Sequence, residues 1–313
     1  MRQFKAPLRE GWLHGLLGWL FVLTIGAPSG NAVLSGKMVY DCDGSDDICV
    51  MNVDGTQRVR ITDGQGINAS PAWSPDGKQI AFLSNRDGDW DVYVINTDGT
   101  GLRRLTDNTA RDASPDWSPD GKKIVYESES QIFVIDADGG KPTKLTQNAF
   151  QNGSPAWSPR GDKIAYGSNT QIWVMDADGA NPLQLTEERG GCSEPAWSPG
   201  GTFIAYFRFA RENSDIYMMR ADGTDKSKLT KMRDTRETNP VWSPDGRQIA
   251  FLSMTKGLDP KRDGIYVMNA DGSGEPQLLV LGFFNRIDWI DPGFWVSSKG
   301  KVPVIGGKLK RGF

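Results

Sequence analysis

Acidic side chains are the one plentiful source of chemistry in this sequence: 39 Asp and Glu stand against a single His and three Cys. The histidine is His14, inside an apolar N-terminal stretch that reads as a leader, and its removal leaves no Ser-His-Asp or Cys-His nucleophile system to assemble. Histidine-based zinc sites fail for the same reason, and Cys42, Cys49 and Cys192 are too scattered to replace them. No metal, no cofactor and no catalytic residue is therefore expected. Carboxylate chemistry stays open. However, the recurring acids Asp76, Asp120 and Asp245 sit in or beside Pro-Asp-Gly, where an Asp side chain bonds to nearby backbone. DADG occurs at Asp136 and Asp176, but a calcium loop of the helix-loop-helix type needs Gly at the sixth position and Glu at the twelfth, whereas from Asp136 the Gly, Gly139, comes fourth and Gln147 twelfth. Asp41, Asp43, Ser45 and Asp47 form a denser acidic cluster, read as a solvated hairpin tip in preference to a calcium site.

The other chemistry on offer is aromatic. Burying an indole removes about 150 to 250 Å² from water, a gross gain of about 4 to 6 kcal/mol, so recurring tryptophans are expected to pack before they bind sugars. Trp90, in SNRDGDWD, has no counterpart in the other copies of the pattern and is the aromatic expected to be exposed.

What must position these residues is a repeat. SPAWSPDGKQIAFLS at Ser70 recurs as SPDWSPDGKKIVYES, SPAWSPRGDKIAYGS, EPAWSPGGTFIAYFR and NPVWSPDGRQIAFLS. The tryptophans Trp73, Trp117, Trp157, Trp197, Trp242 and Trp289 lie 44, 40, 40, 45 and 47 residues apart. That period fits four-stranded blades. Ser-Pro-Asp-Gly is a type I turn in its preferred residues and joins the tryptophan strand to a second strand. A third strand follows (DVYVIN, QIFVID, QIWVMD), then an Asp-Gly hairpin turn, then a fourth strand ending in Leu-Thr or a variant. Pro71, Pro115, Pro155, Pro195 and Pro240, two residues before five of these tryptophans, cannot donate to a ladder, which suits an edge strand lining a central channel. Residues 33–62 hold strands two to four of a unit without a tryptophan strand, and RIDWIDPG supplies one at the other end. The expectation is an all-β, six-bladed β-propeller of four-stranded antiparallel blades, closed by pairing N- and C-terminal strands in one blade.

WSPDGxxIAF followed by a YVMNxDGxxxxLT-like segment resembles the PD40 (WD40-like) repeats of TolB-like propellers and covers nearly all the chain after the leader. The resemblance implies a propeller that receives protein partners at its channel mouth. The additional α/β domain of TolB is not expected between Ala32 and the first blade. Related repeats also occur in propellers of prolyl-peptidase-like enzymes and polysaccharide lyases, but no G-x-S-x-G turn of the kind used by the hydrolases is present.

The basic start at Arg2, Lys5 and Arg9, the apolar residues 11–25 and small residues up to Ala32 read as a signal peptide cleaved after Ala32. An uncleaved anchor is the alternative, although a bilayer needs about 20 apolar residues. Three regions are therefore expected: a signal peptide over 1–32, the propeller over 33–292 and a basic tail over 293–313. Export to the periplasm or the outside permits disulfides, and Cys42 and Cys49 flank a turn they could close. A formal charge of -3 argues against nucleic acid as partner.

If the first strand starts at the top, the short uniform turns lie at the bottom and the irregular loops at the top. The top is the expected binding face. Asn68, Arg111, Asp112, Asn152, Glu194, Arg236, Glu237, Asn239 and Arg286, just ahead of the tryptophan strands, are expected at the channel mouth, with Arg86 and Trp90 in a neighbouring loop. The resulting expectation is a monomeric, exported, non-catalytic binding module for a protein or peptide of the cell envelope, or else for a polar small ligand, with no membrane span after cleavage. The competing reading is a propeller enzyme cleaving carbohydrate or ester substrates with carboxylates and a metal.

Overall fold

The computed structural model describes residues 35–42, 46–210, 213–256 and 260–291. The expected signal peptide and basic tail lie outside them, as do Asp43, Ser45 and parts of two long loops. The described residues fall in one compact unit.

Every regular element but one short 3-10 turn is a strand. β1 (Lys37–Asp41), β2 (Ile48–Asn52) and β3 (Val59–Arg60) form a sheet that continues β4 (Asn68–Trp73), β5 (Gln79–Ser84), β6 (Asp91–Asn96) and β7 (Arg103–Arg104) only through packing, since the second group is a sheet of its own. The pattern repeats in β8 (Asp112–Trp117), β9 (Lys123–Ser128), β10 (Gln131–Asp136) and β11 (Thr143–Lys144), and in β12 (Asn152–Trp157), β13 (Lys163–Ser168), β14 (Gln171–Asp176) and β15 (Leu183–Gln184). β16 (Cys192–Trp197), β17 (Phe203–Ala210), β18 (Asn213–Arg220) and β19 (Ser227–Lys228) make a further antiparallel run. β20 (Thr235–Trp242), β21 (Gln248–Thr255), β22 (Gly264–Asn269) and β23 (Gln277–Leu281) make another, and a single parallel bridge, Ser214 to Arg236, joins these two runs into one eight-stranded sheet. β24 (Ile287–Ile290) pairs antiparallel with β1, Trp289 opposite Met38, so the two ends of the described chain share a sheet.

The expected turns form for local reasons. In the first, Ser74 Oγ donates to Asp76 Oδ1 at 2.8 Å, Lys78 N donates to the same oxygen and Gln79 N to Ser74 Oγ. Gly161, at φ +72°, is needed twice over, because a Cβ there would stand 3.2 Å from Pro119 Cγ of the preceding unit. In the Asp-Gly turns the Asp accepts from the residue two further on, as Asp98 does from Thr100.

The core lies between sheets. One cluster joins Ala81, Leu83, Val92 and Val94 of one unit to Trp117, Ile124 and Tyr126 of the next. The tryptophans are packed there as expected: five of the six are no more than 8% exposed, and Trp197 is half-buried. Cys42 and Cys49 are joined by a disulfide, while Cys192 is a buried free thiol that burial pushes up to about 11.

Candidate functional site

β4, β8, β12 and β16 begin five residues before their tryptophans, β20 seven and β24 two, and that end is buried in the joint between units. The threonine that closes the fourth strand explains why. Thr106 Oγ1 accepts from Val92 N at 2.8 Å and donates to Asp91, and Thr186 Oγ1 accepts from Ile172 N at 2.8 Å and donates to Gln171. Thr230 does the same with Ile216 N at 2.9 Å and Glu237 at 3.3 Å. The residue five before the next tryptophan stands at each cluster. Asn68 donates to Asp46 O and accepts from Arg86, Asn152 donates to Asn148 and to Ser130 O, and Asp112 is wholly buried beside Thr106, Asn108 and Ser128. Glu237 is 0% exposed and burial lifts its carboxyl to about 7.

Asn68, Asp112, Asn152 and Glu237 were expected at an open mouth, and the structure instead seals them between units, with the Arg86 guanidinium of the neighbouring loop drawn in against Asn68. Buried polar groups must find partners, and Asn68, Asn152 and Glu237 find them in the joint, while both Asp112 carboxyl oxygens are buried without a hydrogen bond among the described residues. Trp90 also differs from expectation: it is half-buried against the core, with the exposed Arg111 guanidinium 5.7 Å from its ring centre. Arg236 is exposed at the same end of its strand. Asp41 and Asp47, of the dense acidic cluster, have separate duties. Asp41 accepts from Ser70 N at 3.0 Å, while Asp47 accepts from Thr62 and Gly64 N and pairs with Arg60 at 2.6 Å. Among the described residues no group of three or more His, Cys, Asp or Glu is arranged to hold a metal ion.

The opposite ends of the same six strands surround a cavity of about 560 Å³. Its outer part is lined by Ser-Pro-Asp-Gly turn residues such as Pro75, Pro119, Asp120 and Pro199, and its inner part by Asp116, Glu194, Asn239, Arg286 and Asp288. The cavity therefore lies at the end of the short uniform turns, not beneath the irregular loops where binding was expected. Arg111 and Arg236 stand at the far ends of their strands.

Edge-strand chemistry explains the acids. β4, β8, β12 and β16 end their sheets, which leaves inward backbone N–H groups without ladder partners. Proline removes one such donor per strand, and side chains of other units accept from others. Asp288 Oδ2 takes Trp73 N at 2.8 Å, Asp116 Oδ2 takes Trp157 N at 2.7 Å, and Glu194 Oε2 takes Asn239 N at 2.7 Å. Asn239 Oδ1 accepts from Ile287 N at 2.6 Å, and Arg286 donates to Ser114 Oγ at 3.1 Å. A bulge before each proline turns the backbone, with Ser70, Ser114, Ser154, Glu194 and Asn239 at φ between 49° and 53°.

Burial raises the three inner carboxyls, Asp116, Glu194 and Asp288. Asp116 is pushed up to about 7, with the like charge of Asp288 adding to the effect, and Glu194 and Asp288 are raised as well. Arg286, the one basic residue among those lining the cavity, opposes each rise through its charge. The inner part of the site thus mixes carboxyl acceptors, the Asn239 amide and the Arg286 guanidinium. Sequence reasoning found Glu194, Asn239 and Arg286 but missed Asp116 and Asp288. The available signal was their column: the residue before each tryptophan is Ala72, Asp116, Ala156, Ala196, Val241 or Asp288.

A family model described as the TolB beta propeller domain, PD40, matches residues 38–172 and 167–282. The chain belongs to this TolB propeller family. No curated protein matches it. Among solved structures, this family member is similar to TolB from Acinetobacter baumannii, with TM-score 0.70 and 20% identity over 82% of this chain and 67% of that one. A putative TolB from Agrobacterium tumefaciens gives 0.65 and 20% over 83% and 99%. An oligogalacturonate lyase from Vibrio parahaemolyticus gives 0.55 and 15% over 76% and 72%. At these identities the likenesses speak for the shared fold alone, so function in this TolB-family chain has to be argued from its own site. No helix among its described residues is long and apolar enough to cross a membrane.

Proposed function

We propose that this chain is an exported, six-bladed, non-catalytic binding module that captures a protein or peptide of the cell envelope in the cavity at the Ser-Pro-Asp-Gly end of its ring. Six tryptophan strands, each in contact with the next and β24 with β4, support the closed ring. The leader pattern over 1–32 and membership of the TolB family support export to the envelope. The observation that carries the binding role is the cavity itself. A concave site of about 560 Å³ on a rigid frame, with carboxyls for N–H or ammonium groups and Arg286 for a carbonyl or carboxylate, fits a peptide segment. Glu194, Asn239 and Arg286 are assigned to it, joined by Asp116 and Asp288.

The paired carboxyls Asp116 and Asp288 are the one observation favouring an enzyme acting on carbohydrate or ester. Each already accepts a backbone N–H of a tryptophan strand, a duty that holds the frame and leaves it less free to move a proton. Site-specific photo-crosslinkers separate the readings. A crosslinker at Asp120, on the cavity rim, is expected to capture an envelope protein, and one at Arg111 is not. Capture from Arg111 alone would move the site to the other face, and turnover of oligogalacturonate lost in D116N would establish the enzyme.

A further inference from the structure

The fourth strands of five units are two residues long, and four of the five carry Arg or Lys: VR, RR, TK, LQ and SK. Short, charged edges are how sheets refuse an additional strand. β23 departs from this pattern on both counts. It has five residues, QLLVL, carries no charge, and ends its sheet.

Its side chains add a second peculiarity. Leu278 pairs with Tyr266 and Val280 with Ile265, leaving Leu279 as a bulged extra residue, and Leu281 pairs with Gly264. Side chains alternate along a strand, so partners two apart on β22 put Leu278 and Leu281 on one face. Val280 points the other way and is 3% exposed, whereas Leu278 is 36%, Leu281 50% and the nearby Phe283 52% exposed. An uncharged edge and an exposed apolar stripe coincide on one strand.

We propose that β23 pairs antiparallel with β23 of a second copy of this chain, joining two propellers edge to edge about a two-fold axis. The occupant follows from the strand itself. Antiparallel pairing within one sheet plane keeps like faces together, so the leucine stripes of the two copies become cross-strand neighbours. No charge meets a like charge there, as would happen if β3, β7, β11 or β19 paired with its own copy. Each chain offers one such edge among its described residues, so association closes at two.

Sedimentation of the full chain between about 1 and 100 μM tests this, alongside L278K/L281K and the control L183K on β15, whose leucine is 58% exposed. The parent and L183K should show a concentration-dependent dimer. L278K/L281K changes only exposed positions, so at a concentration where the parent is dissociated its thermal melt should match the parent's, while dimer dissociation rises by about a hundredfold or more. A parent that is monomeric throughout overturns the proposal. So does a dimer that survives L278K/L281K, which would place the contact elsewhere, or one that L183K weakens equally.

Discussion

Replacing Glu237 by Gln should stabilise the protein above neutral pH and leave it unchanged in acid. The side chain is 0% exposed, accepts from Thr230 and Thr235, and faces two charged groups, Asp215 and Lys228, which pair with each other at 2.7 Å. Burial, assisted by the like charge of Asp215, lifts its carboxyl from 4.5 to about 7. The sign then follows by linkage. Between those two values the folded chain holds a proton that the unfolded chain has released, so stability is greatest below 4.5 and declines as pH rises through 7. Each tenfold in proton affinity is worth about 1.36 kcal/mol, so the full loss is about 3 kcal/mol. Gln has the same shape, cannot ionise, and resembles the Asn68 and Asn152 that occupy this place in other units.

Thermal melts of parent and E237Q at pH 5 and pH 8 measure the effect. The variant should match the parent within about 1 kcal/mol at pH 5 and melt roughly 6 to 12 °C higher at pH 8. Taking the difference between proteins isolates Glu237 from Asp41 and Asp116, which are also lifted to about 7 and remain in both. An equal difference at both pH values, or a less stable variant at pH 8, would refute the claim that this carboxyl takes up its proton on folding.

Two further outcomes probe the frame. Thr186→Val keeps the shape but leaves the buried Ile172 N–H without an acceptor, so urea denaturation should report a loss of about 1 to 3 kcal/mol. Thr186→Ser should restore most of it. Gly121 and Gly161 occupy the same turn at φ +70° and +72°, but a Cβ would lie 3.9 Å from Pro75 at the first and 3.2 Å from Pro119 at the second. Both Ala variants should lose about 1 to 2 kcal/mol to the left-handed backbone, and G161A should lose measurably more; equal losses would show that the proline contact relaxes freely.

The units were legible because their determinants are local. A Ser-Pro-Asp-Gly turn, an Asp-Gly turn and a tryptophan at a fixed offset act within a few residues, and each repeats. The ends of the strands were not legible in the same way. Asn68, Asp112 and Asn152 look like loop polars by type, and only the threonine of the preceding fourth strand, six residues upstream, makes them interior. Nor does composition reveal which end of the strands is hollow. Irregular loops drew attention to one face, while prolines and small turns left the space at the other.

The columns of the repeat nevertheless carry the site once the geometry is known. Tryptophan in all six copies and proline in five stay fixed because they face the next sheet or an edge without a ladder partner, where packing permits little else. Three residues before the tryptophan stand Ser70, Ser114 and Ser154, then Glu194, Asn239 and Arg286. The three small residues do not line the cavity, whereas the three large polar ones do. Their backbone is nearly the same in the five copies whose φ is left-handed, so serine, glutamate and asparagine all fit it. The larger side chains reach across units: Glu194 accepts from Asn239 N, and Asn239 Oδ1 from Ile287 N. Arg286 reaches Ser114 of another unit and sets its charge against Asp116, Glu194 and Asp288. Three of the six repeat positions thereby carry individual polar side chains, and the cavity they line differs in chemistry from one unit to the next.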